Sequence, residues 1–310
     1  MPYSPYSLAQ TVRNHLCDML NRGLLDKMDD ERYIKLMWRI KMGYPLNLEN
    51  PQLYNEKLQW LKLYDHNPEY TRMADKYASK GFVAERVGEE YVVPTYGCWN
   101  SFDEIDFDAL PEQFVLKTNH DNAGVVIVED KDLFDRKAAK KLLEMHLRQK
   151  FHMRWREWCY KDIKPVIFAE KFLKTEDSKP LVDYKFHCFD GEPKFSYTFI
   201  REHSYNNMDL TYYNGEKPFK CIAKNRHKGI RTYFDESYRL IPCTRSVEPA
   251  LLEGMEKPAN FELMQALSRK LSKGFPHVRV DLFEVGSRVY AGELTFYPDA
   301  GFSDFYPKTY

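Results

Sequence analysis

No apolar run in this chain approaches the roughly 20 residues that a membrane-spanning helix needs. The opening Met1-Pro2-Tyr3-Ser4 has neither the basic start nor the apolar block of a secretion signal. The expectation is a cytoplasmic protein, one able to work peripherally at the inner membrane face without an anchor. The six cysteines, Cys17, Cys98, Cys159, Cys188, Cys221 and Cys243, are widely scattered, with no Cys-x-x-Cys pair and no histidine at zinc-finger spacing. Reduced, structural thiols are therefore expected. Net charge is missing too, since 46 basic and 46 acidic residues cancel. The electrostatic footprint of a protein that coats nucleic acid is absent, and nucleic acid is not an expected partner. No Ser-His-Asp or Cys-His signature is present either. His187 and Cys188 are neighbours on a predicted strand and would point to opposite faces, a poor base–nucleophile pair.

What the chain does have is enough apolar residue, 43% of 310, to bury a core in one large domain or in two to three packed subdomains. Aromatics reach 15%. Clusters such as Trp155-Arg156-Glu157-Trp158 would either pave a ligand surface or fill the core, and composition does not separate the two.

The most informative segment lies late in the chain. Val278-Arg279-Val280-Asp281-Leu282-Phe283 alternates, Gly286-Ser287 reads as a turn, and Tyr290-Ala291-Gly292-Glu293-Leu294-Thr295-Phe296 alternates again. Two such strands would set Asp281 and Glu293 side by side on one face, with Arg279 and Thr295 two residues from each. Two carboxylates so placed cannot both ionise cheaply unless a cation sits between them, and hard oxygen ligands suit Mg²⁺ carrying nucleotide phosphates. The competing reading is an ordinary hairpin whose acids face water.

Upstream, residues 5 to 64 read as helical, broken at Gly43-Tyr44-Pro45 and Asn50-Pro51 and resuming at Asn55. Such a leading segment is more often a packing appendage than a catalytic unit. A helix through Lys76, Lys80 and Val83 is followed by the apolar Tyr91-Val92-Val93-Pro94 and a loop ending at Asn100. Phe114 to Thr118 and Val125 to Val128 read as strands around the polar, glycine-bearing Asn119 to Gly124, a pattern like a hairpin flap over phosphates. A helix within Lys131 to Lys150 and a buried-type strand, Pro165 to Leu173, come next. Asp183 to Phe189 and Lys194 to Ile200 are strands about the turn Asp190-Gly191-Glu192-Pro193. Residues 201 to 258 look irregular, and a helix from about Asn260 to Lys273 precedes the acidic hairpin.

The ordered pieces Asp75-Lys76, Lys117 with its glycine flap, Glu170-Lys171-Phe172-Leu173, Asp183-x-Lys185, Arg279-x-Asp281 and Glu293-x-Thr295 resemble the ATP-grasp superfamily. More narrowly, Asn55-Glu56-Lys57-Leu58-Gln59-Trp60, Phe114-Val115-Leu116-Lys117, Arg156-Glu157-Trp158, Asp183-Tyr184-Lys185-Phe186, Phe189-x-Gly191-Glu192-Pro193-Lys194-Phe195 and Gly292-Glu293-Leu294-Thr295-Phe296-Tyr297-Pro298 resemble the TupA-like ATP-grasp family, named for teichuronopeptide biosynthesis. The resemblance runs from about residue 30 to the C-terminus.

It implies an α+β ATP-grasp fold, two α+β subdomains clasping ATP, after a helical N-terminal segment. The expected division is a helical segment over 1–70, a linker over 71–112, a flap-and-hinge subdomain over 113–173 and a hairpin subdomain over 174–310. Lys76 and Lys117 would offer point charges to the α- and β-phosphates beside the flap residues Asn122 and Gly124. Glu170, Lys171 and Phe172 would form the hinge along the adenine, and Asp183 would accept from the ribose hydroxyls. Asp281 and Glu293 would hold Mg²⁺, joined by Thr295 directly or through water, because threonine is shorter than the asparagine many ATP-grasp enzymes carry there. Arg279, and Lys185 reaching toward the γ-phosphate, would serve the transferring phosphoryl group. Tyr297-Pro298-Asp299-Ala300-Gly301 would take the place of a substrate-contacting loop.

The implied reaction is ATP-dependent carboxylate–amine ligation through an acyl-phosphate, which needs no covalent nucleophile. The family name points to cell-surface glycopolymers, so the expected partners are a small-molecule amine, such as an amino acid, and a uronic acid or other carboxylated sugar or polysaccharide. Arg154, Arg156, Lys161 and Lys164, set among Trp155, Trp158 and Tyr160, would bind the acidic sugar, or would be a basic flank over buried rings. His203 to Tyr213 and Lys220 to Tyr233 would form a lid or acceptor site. The alternatives are a glycosyltransferase and a sugar or polysaccharide kinase of the same pathways. Against the first, the Asp-x-Asp at Asp106-Phe107-Asp108 falls in an expected surface loop. The sequence leaves the oligomeric state open.

Overall fold

The computed structural model describes residues 8–20, 23–175, 181–201, 209–213, 218–222, 229–245, 250–252, 256–303 and 305–306. Its helices are α1 (Leu8–Leu20), α2 (Asp30–Met42), α3 (Tyr54–Tyr64), α4 (Glu69–Ala74), α5 (Ser79–Val87), α6 (Arg136–Leu147), α7 (Phe151–Trp155) and α8 (Phe261–Ser272). None among the described residues is long and apolar enough to cross a membrane. Asp29 caps α2 by accepting from the backbone N–H groups of Glu31 and Arg32, each at 3.1 Å, and Gly43 closes it at φ 86°. The helix expected through Lys76, Lys80 and Val83 begins only at Ser79, as α5, with Lys76 in the turn that follows α4. Asp75 causes the break, because its carboxylate accepts from the N–H groups of Tyr77 (2.8 Å) and Ala78 (3.0 Å) and competes with helical pairing.

Four strands, β1 (Thr95–Trp99), β2 (Phe114–Thr118), β3 (Val125–Val128) and β4 (Ile167–Lys171), form an antiparallel sheet in the order β1-β4-β2-β3. Phe114, Leu116, Ile167 and Ala169 pack with Phe102, Phe107 and Leu143 of α6. The edge strand β1 falls where a loop was expected, within the residues assigned to a linker, and it pairs along β4. Its residues are only partly buried or exposed, so the sequence carries no burial pattern for it.

The second large sheet is built from β5 (Asp183–Phe189), β6 (Glu192–Arg201), β9 (Gly229–Asp235), β12 (His277–Val285) and β13 (Arg288–Thr295), in the order β13-β12-β5-β6-β9. Between them lie β7 (Asp209–Tyr213), β8 (Pro218–Ile222), β10 (Thr244–Arg245) and β11 (Ala250–Leu251), and β14 (Phe305–Tyr306) closes the chain order. The region expected to be irregular thus contains strands. In β9, Thr232, Tyr233 and Phe234 are all buried, and a strand covered on both faces shows no two-residue alternation. The lid expected over His203 to Tyr213 and Lys220 to Tyr233 falls in large part outside the described residues.

Alternation along β12 decides the architecture of the site. Val278, Val280 and Leu282 join Phe186, Leu294 and the apolar face of α8 (Phe261, Met264, Leu267, Leu271) in the largest core cluster. Each such side chain contributes about 1.5–3 kcal/mol of apolar burial. The opposite face is left with Arg279 and Asp281. A third cluster joins Tyr33, Ile34, Met37 and Trp38 of α2 to Ala300 and Phe302, so the leading helices share a core with the loop that follows the hairpin.

Candidate functional site

The expected hairpin forms in the expected register: Arg279 opposes Thr295 and Asp281 opposes Glu293, with a β-bulge after Asp281. On its other side β12 pairs with β5, where Lys185 opposes Asp281. A row of charge therefore crosses three strands. Arg279 binds Asp281 through Nε–Oδ1 (2.6 Å) and Nη2–Oδ2 (2.7 Å), and its Nη2 also donates to Thr295 Oγ1 at 3.0 Å. Lys185 Nζ bridges Asp183, at 2.5 Å, and Asp281. The cations required beside Asp281 are thus side chains of the chain itself. Burial raises Asp183 to about 6, opposed by Lys185 and assisted by Asp281, and one of its oxygens is enclosed without a partner. Burial would lower Arg279, but Asp281 beside it holds it well above its usual range. Burial would also raise the partly exposed Glu293, yet Lys76, Arg279 and Lys185 outweigh this and hold it at about 2.

A second charge cluster sits on the flap sheet. Glu170, buried at the end of β4, accepts from Lys117 on one oxygen and from Lys80 on the other at 2.9 Å. Burial opposes the charge on Glu170, and the two lysines overcome it and lower its pKa. Lys76 links the clusters: its Nζ donates to the backbone oxygen of Asp121 in the flap turn and stands 3.4 Å from Glu293 Oε1. In that turn Asn122 is exposed and Gly124 is buried. Thr118 Oγ1 donates to Asp121 Oδ1 (2.6 Å) and Gly124 N–H to the same oxygen (3.1 Å), while His146 holds Asp121 Oδ2. A Cβ on Gly124 would collide with Thr118 Oγ1, so the flap closes only around glycine.

The hinge reading changes in one respect. Glu170 lies inside the ladders to both β1 and β2, and Lys171, exposed, donates its N–H to Pro94 O at 2.9 Å. Backbone free of the sheet begins at Phe172, which is half-buried, and the side chain of Glu170 acts as a counter-ion to two lysines. The basic and aromatic patch also divides. Arg156 is buried, donates to Leu25 O (2.8 Å), meets Asp30 at 3.1 Å and lies 4.4 Å over the Tyr33 ring, so it cannot serve an acidic sugar. Trp155 packs on Phe302, with ring centroids 5.1 Å apart, and Trp158 on His66 and Tyr70. Arg154, Lys161 and Lys164 are exposed.

Several residues escaped sequence reasoning. Lys80 follows Lys76 by one helical turn, a spacing that could have marked it. Lys62 has no such signal, while Glu157 stands within the family-like string Arg156-Glu157-Trp158 and Asp299 within the expected substrate-contacting loop, neither with a role of its own. Lys62, Gln59 and Asn55 line one face of α3 and bind the backbone oxygens of the loop after β13. Asp299 meets Arg231 at 3.5 Å and accepts from Ser303 Oγ at 2.9 Å.

Among the described residues no three acidic, histidine or cysteine side chains gather as a metal cage. Mg²⁺ with nucleotide needs less, since it keeps waters and phosphate oxygens and takes only one or two carboxylates. Asp281 and Glu293, opposed on adjacent strands, fit that donor set. Two larger cavities lie elsewhere, one of about 250 Å³ along α3 beside Tyr54, Trp60 and His277, the other of about 500 Å³ between β3 and α6. The lining of both is largely apolar, so the site is placed on the charge clusters, where the groups able to handle phosphate converge.

A family model described as TupA-like ATPgrasp matches residues 56–225 and 219–310. No curated protein matches. Similar solved structures include a D-alanine–D-alanine ligase from Bacillus anthracis, at 18% identity over 72% of this chain and 57% of that one, with a TM-score of 0.36. The ATP-grasp ligase PsnB, complexed with minimal precursor, Mg and ADP, gives 13% identity over 94% and 66%, with a TM-score of 0.39. The D-cycloserine synthetase DcsG gives 12% over 78% and 70%, with a TM-score of 0.40. The chain spans a little over half the length of the Bacillus anthracis ligase.

Proposed function

The chain belongs to the TupA-like ATP-grasp family, and from that premise we propose that it is an ATP-dependent ligase that forms an amide between an amine, such as an amino acid, and the carboxyl of a uronic acid or similar sugar of a surface polysaccharide. The observation that carries this reading is the bridge made by Lys76, whose ammonium touches both the flap carbonyl of Asp121 and the hairpin acid Glu293. One cation thereby joins flap and hairpin, and a triphosphate is the ligand that both would grip.

On binding, phosphate oxygens would replace Glu170 and Glu293 as partners of Lys117, Lys80 and Lys76. These are exchanges of one anion for another and leave no buried lysine uncompensated. Phe172 and Leu173 would lie along the base. Asp281 and Glu293 would hold Mg²⁺, with Thr295 through water because its hydroxyl already accepts from Arg279. Bound there, Mg²⁺ would neutralise charge on the phosphate oxygens. Arg279 and Lys185 would then face the γ-phosphoryl group. The acid's carboxylate attacks its phosphorus, ADP leaves, and the amine captures the acyl-phosphate. No side-chain nucleophile is required; placement and charge neutralisation lower the barrier.

The test is ADP release over a panel of amino acids against uronic acids. Release that needs both substrates supports the ligase. Release with the sugar alone would mark a phosphotransferase, a sugar-nucleotide product would mark glycosyl transfer, and either would reject the reading.

A further inference from the structure

Glu157 is 6% exposed, and among the described residues nothing donates a hydrogen bond to its carboxylate. Its oxygens are not among the fully enclosed polar atoms either, so they keep a small exposed surface. The charged groups that act on it come from four elements: Lys62 of α3, Asp299 of the loop after β13, Glu293 of β13 and Lys76 of the turn before α5. A merely structural counter-ion would be paired. Lys62, the obvious partner, donates instead to Trp155 O (3.0 Å) and Ala300 O (2.8 Å).

The direction of Glu157 is fixed by its neighbour. Arg156 stands in the left-handed region at φ 56°, ψ 41°, a conformation that L-residues rarely adopt. Its guanidinium is held by the carbonyls of Leu25, Asp26 and Met28 and by Asp30. The leading helical segment therefore sets the turn that aims Glu157.

We propose that Glu157 receives the ammonium group of the amine substrate and takes one of its protons. This deepens the ligase reading and rests on it. The incoming ammonium gives one proton to the Glu157 carboxylate, and the freed lone pair attacks the acyl-phosphate carbonyl. The C–N bond forms, the C–O bond to phosphate breaks with its electron pair going to the leaving phosphate, and the second nitrogen-bound proton departs with that phosphate. Burial pushes the Glu157 carboxyl up to about 7, against the pull of Lys62, which suits a group that must accept a proton near neutrality. Lys62 has itself been lowered by burial to about 8, so the groups facing Glu157 do not fix its charge at one extreme.

The experiment uses the full chain with Mg²⁺, ATP and a panel of uronic acids, and compares two nucleophiles. The amino group of L-alanine is protonated near neutral pH and must lose a proton before it attacks; hydroxylamine is largely neutral and need not. Glu157→Gln is expected to lower amide formation with L-alanine on the order of 100-fold while hydroxamate formation stays within a few fold of wild type. Equal loss with both nucleophiles, or loss with neither, overturns the subsite. If the wild type forms neither ADP nor hydroxamate with any acid, the ligase reading falls and the subsite with it. Should E157Q prove insoluble, Glu157→Asp replaces it and is judged by the same split between nucleophiles.

Discussion

Asp281→Asn and Glu293→Gln both remove a carboxylate expected to hold the nucleotide's metal, yet they differ in what else they remove. Asp281 is 1% exposed and compensates Arg279 and Lys185. The buried set is neutral as it stands, two cations against Asp281 and Asp183. With the amide in place of the Asp281 carboxylate, Lys185 would keep Asp183 and Arg279 would keep no carboxylate in ion-pair contact. Removing one partner from a buried ion pair costs about 3–5 kcal/mol, because the remaining charge stays buried and uncompensated. Glu293 keeps 27% of its side chain exposed and has one cation in ion-pair contact, Lys76 at 3.4 Å, with Arg279 and Lys185 acting from farther off. With part of its side chain in water, its replacement should cost less than that of Asp281.

Urea unfolding resolves the two cases. D281N should lose both turnover and about 3–5 kcal/mol of stability, with a thermal midpoint lower by roughly 6–10 °C at about 2 °C per kcal/mol for a chain of this size. E293Q should lose turnover with a smaller loss of stability than D281N. Arg279→Met added to D281N restores neutrality and should recover part of the loss, a coupling a double-mutant cycle would measure. A D281N protein within about 0.5 kcal/mol of wild type would refute the reasoning, since the acid would then be a metal ligand and nothing more.

Lys117→Ala leaves Lys80 at 2.9 Å from Glu170, so the protein should still fold. Its ATP affinity by calorimetry should fall about 10-fold or more, equivalent to about 1.4 kcal/mol; unaltered affinity would count against the flap lysine. His277→Asn tests the acid limb of stability. Burial, helped by Arg279 and opposed by the bond to Phe296 O, lowers His277 from 6.5 to about 4. The native state therefore excludes a proton that the unfolded chain takes up. The stability is whole above pH 6.5 and is lost as pH falls toward 4, by up to about 3 kcal/mol. The introduced amide keeps an N–H for Phe296 O and does not titrate, so unfolding free energies across this window should flatten; an unchanged slope would reject the assignment.

The hairpin was legible because β12 alternates and β13 alternates on either side of its bulge, and two-residue alternation with a turn between fixes which side chains oppose each other. Charge compensation at Asp281 was not. It depends on the register of β5 against β12, which sets Lys185 opposite Asp281, and nothing local encodes a pairing between residues 96 positions apart. The convergence of Lys76, Lys117 and Glu170 could be expected only from resemblance, for the same reason. Glu157 was invisible as an isolated acid because its meaning lies in the backbone of Arg156, and a left-handed arginine leaves no mark in the sequence. Strand β9 failed in the opposite way: it is buried on both faces, so the periodicity that announces a half-buried strand is missing.

The leading helices were expected to be an appendage, and the face that α3 buries argues otherwise. Asn55, Gln59 and Lys62 recur at helical spacing and are 8%, 0% and 2% exposed, where an ordinary amphipathic helix would bury apolar side chains. A buried polar face is costly unless its groups are hydrogen-bonded. These donors find the oxygens of Ala300, Gly301 and Ser303. The loop needs them equally. Asp299, Ala300 and Gly301 stand at φ 52°, 55° and 70°, and the α3 donors satisfy the carbonyls of the last two. Gly301 also cannot carry a side chain, since a Cβ there would meet Gln59 Nε2 at 2.5 Å. Helix and loop thus each supply what would otherwise be an unsatisfied buried group in the other. The same helical segment holds Arg156, and through it the direction of Glu157. A nominal N-terminal appendage is therefore part of what shapes the loop after β13 and the turn at Arg156.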